Sequence, residues 1–389
     1  MSLLNELKKI TMKKLVFICL FLLTIVGAKA NDAVFYATGN QLVPINETEI
    51  SVKKEVLDIT RENKEIHVHV YYEFFNPGNE KTLLVGFEAM PPGGVWETTE
   101  EEYKKYTDHP YIHDFTVTIN GQRLNYQVAH VVNEGNYFQN GKIDALSRQQ
   151  ELQMRREREY FDGIPYLFVY HFNATFKKGL NIVEHTYTFK ESQYSITEYS
   201  FEYVLTAANR WANNQIDDFT LNINMGDRES FSIRPTFFNS VNEWTINGVG
   251  KVSPAGVGLS DWPTFHLQQG GITFRKSNFH PDGEIEINKM FAPIMMMWGE
   301  KTNEDVRESI KLQYSKWATF MFEDGCSLTK EEKLILRNIP FAYRGYVFKS
   351  PNLKKFFEST EWYIPNPNYV DKIEELPQEE REWVEFWSK

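Results

Sequence analysis

A chain of 389 residues that is 42 % hydrophobic and 15 % aromatic has enough apolar material for two or three cores. Its formal net charge of −11 argues against a nucleic-acid footprint and against nonspecific adhesion to an anionic membrane surface.

The first thirty residues read as a secretory signal. Lys8, Lys9, Lys13 and Lys14 make a basic start, Leu15 to Val26 is a continuous apolar run, and Ala28-Lys29-Ala30 has the small-residue cleavage pattern. The run is short for a bilayer span, although an uncleaved anchor is the alternative reading. Met12 offers a second possible initiator. Cleavage after Ala30 removes five basic residues and one acidic residue, which leaves 37 basic and 52 acidic residues and a formal charge near −15. It also removes Cys19, so Cys326 is then the lone cysteine and no intrachain disulfide can form, even in a compartment that permits one. No later stretch is long and apolar enough to cross a membrane.

From Asn31 to about Asn288 the dominant signal is alternation. Ile66, Val68, Val70, Tyr72 and Phe74 share one phase, and Glu65, His67, His69, Tyr71 and Glu73 share the other, which is the pattern of a half-buried strand. Asn76-Pro77-Gly78-Asn79 predicts a turn, with Leu83 to Phe87 returning as the partner strand. Phe115, Val117 and Ile119 lead into Asn120-Gly121, the strongest short hairpin signal, with Leu124, Tyr126 and Val128 alternating back. Phe168–Phe176 and Leu180–Phe189 form a third expected pair across Lys177-Lys178-Gly179. Further short strands are expected to residue 288. Many short strands with hairpin connections predict a mainly β protein built of antiparallel sandwiches.

The expected division is a signal over 1–30, one sandwich over 31–192 and a second β-rich domain over 195–290. A linker with a helix then covers 291–326, and a small helical domain covers 327–389. Two segments break the β pattern. Thr98–Tyr106 is acidic and helix-prone, and the charged run within 143–160 predicts a helix inserted between strands. That insertion is either a solvated surface helix or a partner-binding one. Met295–Trp298 is an apolar strip, and Asn303-Glu304-Asp305 leads into a helix toward Phe322.

The tail is the densest segment, with eight aromatic residues between Phe341 and Tyr363. Thr329 and Glu332 have capping-box spacing, and Ile335, Ile339, Ala342 and Tyr346 form a helical stripe. Pro340 predicts a kink or break near Ile339. Gly345 suits a left-handed or closely packed backbone position. Ser350-Pro351 predicts a second helix start, with Leu353, Phe356 and Phe357 on its buried face. A last helix is expected from Pro377, docked by Trp383, Val384 and Trp387.

This tail resembles the YARHG domain, a small extracellular module of bacterial proteins. The resemblance runs from about Ser327 to the C-terminus through Leu336-Arg337-Asn338, Phe341–Gly345, Tyr346–Ser350, Leu353 with Phe356 and Phe357, and Trp362-Tyr363. The name-giving stretch reads Phe-Ala-Tyr-Arg-Gly here, so only Ala342 and Gly345 match it literally. The resemblance implies an envelope-exposed module with no established activity, and it carries over no catalytic residue. The β region loosely resembles uncharacterised bacterial periplasmic families through His185-Thr186-Tyr187 and the strand from Tyr203 to Trp211.

Candidate chemistry is sparse. His67 and His69 lie on one strand face with Glu65 and Glu73, which suits a divalent metal but lacks a third ligand fixed by spacing. Arg344 among Phe341, Tyr343 and Tyr346 suits cation–π or carboxylate recognition, or shields a small core along its stem. Tyr343, Arg344, Trp362 and Tyr363 are therefore the candidate ligand contacts. No nucleophile elbow, zincin helix, phosphate loop or dinucleotide fingerprint occurs in the sequence. The reading is an exported bacterial envelope protein, a noncatalytic binding or structural module that needs no cofactor. The sequence names no partner; a cell-wall or other envelope component fits the expected address, and nucleic acid is excluded. An envelope hydrolase acting on peptidoglycan or glycan through paired carboxylates is the alternative.

Overall fold

The computed structural model describes residues 42–44, 49–89, 112–132, 138–139, 142–157, 166–192, 196–256, 260–291, 302–312 and 328–388. The expected signal, the acidic 98–106 segment, Met295–Trp298 and Cys326 lie outside the described residues. The protein is mainly β, with helices concentrated toward its C-terminus.

The strands in chain order are β1 (Leu42–Pro44), β2 (Ser51–Glu62), β3 (Glu65–Asn76), β4 (Lys81–Ala89), β5 (Ile112–Ile119), β6 (Gln122–Arg123), β7 (Gln127–Val132), β8 (Phe138–Gln139) and β9 (Lys142–Ile143). After helix α1 (Arg148–Glu157) come β10 (Tyr166–Phe176), β11 (Gly179–Lys190), β12 (Thr197–Tyr203), β13 (Ile216–Asn224), β14 (Glu229–Ile233), β15 (Trp244–Ser253), β16 (Thr264–Phe279) and β17 (Ile285–Met290). Among the described residues one sheet has the order β1-β4-β10-β7. A larger sheet of eleven strands runs β12-β17-β14-β16-β13-β2-β3-β11-β5-β6, with β15 paired to β16. Inward residues of both sheets share one core, in which Phe115 of β5 meets Tyr170 of β10 at a ring separation of 4.6 Å.

The predicted alternation is present. Along β3, Ile66, Val68, Val70, Tyr72 and Phe74 are buried, and the histidine phase is half-buried. The expected partners differ. β4 does not return beside β3. It pairs with β1 and β10 in the smaller sheet, while β3 lies between β2 and β11. β10 and β11 likewise belong to different sheets. After Asn120 and Gly121, both left-handed as a tight turn requires, Gln122–Arg123 pairs back to β5 and the Leu124 N–H donates to the Val117 carbonyl at 2.9 Å. β7 then crosses to β10. Two expected hairpins are therefore arches between sheets, and the third forms at its Asn-Gly turn but is cut short when β7 leaves. Alternation reports which face is buried, and an arch and a hairpin bury the same phase.

Buried asparagines fix these corners. The Asn76 amide donates to the Asn79 and Phe176 carbonyls at 2.9 and 3.1 Å, which ties the β3–β4 arch to the end of β10. The Asn181 amide donates to the Lys177 and Gly179 carbonyls, and its oxygen accepts from the Lys177 backbone N–H and from the Asn120 amide.

One ladder is parallel, not antiparallel. β2 runs beside β13, with Val52 opposite Ile216 and Thr60 opposite Asn224. This pairing carries one sheet across the sequence position near 192–195 where a division is expected. Within the predicted 143–160 insertion, α1 spans Arg148–Glu157 and is held to β7, where His130 Nδ1 lies 2.8 Å from Glu151 Oε1.

The C-terminal part contains α2 (Asn303–Leu312), α3 (Lys330–Ala342), α4 (Pro351–Glu358) and α5 (Gln378–Phe386). Ile335, Leu336, Ile339, Phe348, Phe357, Trp362, Trp383 and Val384 form its core, and Ile310 of α2 joins them. The Thr329–Glu332 capping box starts α3, and Pro351 opens α4. α3 does not break at Ile339 and continues through Pro340 to Ala342. Proline removes the N–H that would bond the Leu336 carbonyl four residues earlier. The indole N–H of Trp383 takes that place, donating to the Leu336 carbonyl at 2.6 Å. With the carbonyl satisfied from α5, proline does not end the helix.

Candidate functional site

The outer face of β14, β16 and β15 is polar by alternation. Phe265 and Leu267 of β16 point into the main core, which leaves Thr264, His266 and Gln268 on the opposite phase. Cross-strand register adds Ser230 and Lys251, each opposite His266, and Ser253 opposite Thr264. The helical module covers this face with residues 360–364. Lys251 Nζ donates to the Thr360 carbonyl at 3.3 Å, Ser253 Oγ donates to Glu361 at 2.8 Å, and the Gln268 amide donates to the Ile364 carbonyl at 3.3 Å.

A polar chain runs through this seam. Ser253 Oγ gives its proton to Glu361, so it accepts from His266 Nε2–H at 3.2 Å. The opposite nitrogen, Nδ1, is then the acceptor for the Ser230 hydroxyl at 2.9 Å. Burial, and secondarily the Lys251 charge, lower the His266 pKa to about 3, which keeps the ring neutral at physiological pH.

Beside this chain lies a cleft lined by Arg228, Ser230, His266, Leu267, Gln268, Tyr343, Trp362 and Ile364. Its cavity of about 10 Å³ is the room that one water needs. Tyr343 packs edge-on against Trp362 with ring centroids 5.4 Å apart. Trp362 is itself anchored, since its indole N–H donates to the Ile310 carbonyl at 2.7 Å.

A buried charge network borders the cleft. Lys289 Nζ lies 2.7 Å from Glu229 and 3.1 Å from Glu198, and Arg61 pairs with Glu191 at 2.7 Å while its guanidinium covers the Tyr199 ring at 4.0 Å. Burial disfavours the Lys289 charge, but Glu229 and then Glu198 more than offset it, and the ammonium pKa rises well above its ordinary value. Burial also raises the Tyr343 hydroxyl, with Lys289 opposing and Glu229 reinforcing the shift.

Two of the four predicted contacts, Tyr343 and Trp362, meet in this cleft. The other two do not. Arg344 pairs with Glu380 of α5 at 2.6 Å and donates to the Pro340 carbonyl at 2.8 Å. The Tyr363 hydroxyl donates to the Tyr346 carbonyl at 2.9 Å. His67 and His69 lie across from Thr188 and Asp58 on neighbouring strands, with Nδ1 separations of 3.0 and 3.3 Å. Among the described residues no group of three His, Cys, Asp or Glu is gathered as a metal would require.

Sequence reasoning missed Arg228, Ser230, His266, Gln268 and Lys289. One signal was available. Ile285, Ile287 and Lys289 share the buried phase of β17, and a lysine in that phase demands a buried partner.

Residues 317–389 match the YARHG domain, and residues 30–139 match a domain of unknown function, DUF4424. No curated protein matches the chain. Among solved structures the chain is similar to a candidate nutrient binding protein from Legionella pneumophila subsp. pneumophila str. Philadelphia 1. The identity is 17 %, with 90 % of this chain and 97 % of that chain covered and a TM-score of 0.47. Yeast LTA4 hydrolase in complex with bestatin aligns at 10 % identity over 62 % of this chain and 29 % of its own, with a TM-score of 0.27. Baculovirus P35 aligns at 9 % identity over 64 % and 99 %, with a TM-score of 0.25.

Proposed function

We propose that the chain is exported to the bacterial cell envelope and acts there as a noncatalytic binding protein, with the seam cleft as its ligand site. The observation that carries this reading is the meeting of Tyr343 and Trp362 from the C-terminal module with Arg228 and Gln268 from the β body in one cleft. Aromatic side chains with a few placed polar groups line ligand pockets, and the cleft shares that lining. The basic, apolar and small-residue order of residues 1–30 supports export, as does the YARHG match, since that domain occurs in exported proteins. No described helix is long and apolar enough to cross a membrane. The division into a signal over 1–30, β regions over 31–192 and 195–290, a linker over 291–326 and a helical domain over 327–389 is part of this proposal. Tyr343 and Trp362 contact ligand in it, and Arg344 and Tyr363 hold the module's shape.

Titration calorimetry of the full chain with soluble peptidoglycan fragments tests the reading. Saturable binding is expected, weakened about tenfold by Tyr343→Ala, which removes a ring at the cleft. Heat indistinguishable from dilution would remove the cell-wall ligand. Mass spectrometry of the mature N-terminus checks export.

An envelope hydrolase draws support from one feature, the Ser230–His266 hydrogen bond, which resembles a nucleophile beside its base. A base whose pKa is about 3 accepts a proton poorly at neutral pH, so binding stands ahead of it. Stoichiometric labelling of Ser230 by a fluorophosphonate probe would reverse that order.

A further inference from the structure

We infer that the seam cleft receives an oxyanion head group, carboxylate or phosphoryl, with the Arg228 guanidinium as its anchor. The inference deepens the proposed binding role and rests on it.

Arg228 enters β14 from the turn after Met225 with φ of 55°. Most of the other non-glycine residues in that region are asparagines, which tolerate it. A glycine would hold the turn without strain, yet the position carries a long cationic side chain. Strain kept at a cleft is a pointer to function.

The other cations around the seam are committed. Lys289 is held by Glu198 and Glu229, Arg61 by Glu191, and Lys251 by the Thr360 carbonyl. The Arg228 backbone N–H donates to the Gln268 carbonyl, but its guanidinium has no ion pair or hydrogen bond among the described residues. A planar fork of donors matches an oxyanion in two-point contact. Gln268 uses one amide N–H on Ile364 and retains the other. In a chain of formal charge −11 an anion meets repulsion over much of the surface, so one uncommitted guanidinium beside a recess is a selective landing point.

Size decides how much of a ligand enters. A cavity of about 10 Å³ admits one water-sized group. One oxygen of the oxyanion enters it, and the rest of the head group and of the ligand lies at the mouth beside the exposed Arg228 and the Tyr343 ring.

The test follows the unfolding midpoint of the full chain against added sodium acetate or sodium phosphate, with sodium chloride at matched ionic strength as the reference. Binding to the folded state raises the midpoint with concentration. The expected result is a rise with at least one oxyanion, lost in Arg228→Gln, whose apparent affinity falls about tenfold or more. A rise with acetate alone assigns a carboxylate, a rise with phosphate alone assigns a phosphoryl group, and a rise with both assigns their shared chemistry. Arg228→Gly separates binding from folding, because it relieves the backbone and is expected to raise the ligand-free midpoint by about 2 °C while abolishing the response. No response to either ion, or the same response in Arg228→Gln, overturns the inference. Peptidoglycan fragments separate the two levels. Binding unchanged in Arg228→Gln would leave the seam reading standing without this anchor, and no binding by the parent chain would remove the seam reading itself.

Discussion

Gly345 shows how one position joins the C-terminal module to the β body. Its φ is +82°, and a Cβ there would lie 2.5 Å from both the Gln268 amide nitrogen and the Ile364 carbonyl oxygen. The same glycine accepts from the Asn366 N–H at 2.7 Å. Gly345→Ala therefore combines left-handed strain with contact against backbone, and it is expected to cost about 2–3 kcal/mol in chemical denaturation. An unchanged midpoint would mean that the seam yields without cost. The need for glycine here was legible from the sequence. The partner that crowds it was not, because Gln268 lies far away in the chain.

His266 and His185 add a pH response at the same scale. Both have pKa values lowered to about 3, chiefly by burial, with Lys251 and His69 respectively as secondary causes. Their unfolded values lie near 6.5, so the unfolded chain binds protons first as pH falls. The contribution of these two groups is complete above that value and is lost progressively from about pH 6.5 down to about 3. The expected slope is roughly 1.4 kcal/mol per pH unit for each ring. Urea midpoints between pH 7 and 5 check it, with His266→Gln flattening the dependence by about one ring's share.

At the scale of elements, α3 depends on α5. Pro340 is tolerated because the Trp383 indole donates to the Leu336 carbonyl that proline leaves open. Trp383→Phe keeps most of the apolar volume and leaves that carbonyl unsatisfied, for an expected loss of about 1–3 kcal/mol. Pro340→Ala restores an N–H beneath the same carbonyl. The double variant should then lose less than the two single changes predict together, and strict additivity in the cycle would refute the coupling. The helix signals of the tail were readable because caps, proline and apolar stripes act over one or two turns. Continuation past Pro340 was not readable, since the compensating donor comes from another helix.

The whole molecule is organised by the parallel ladder between β2 and β13. Strands from both sides of position 192 contribute to one large sheet and one core. A fragment ending at residue 192 would leave β2 without its β13 neighbour and expose a long row of backbone donors and acceptors. We expect such a fragment to aggregate or remain unfolded by light scattering and circular dichroism. A monomeric, cooperatively folding fragment would show that the first β region is independent. The sequence by itself determined the mainly β class, the strand phases, the helical caps and the YARHG resemblance, because each depends on periodicity or on residues close in the chain. Tertiary structure decided that expected hairpins are arches, that β2 meets β13, and that Tyr343 and Trp362 meet Arg228 while Arg344 turns to Glu380. Those outcomes depend on which distant backbone satisfies an edge and which distant charge shares a burial site, and neither leaves a local pattern.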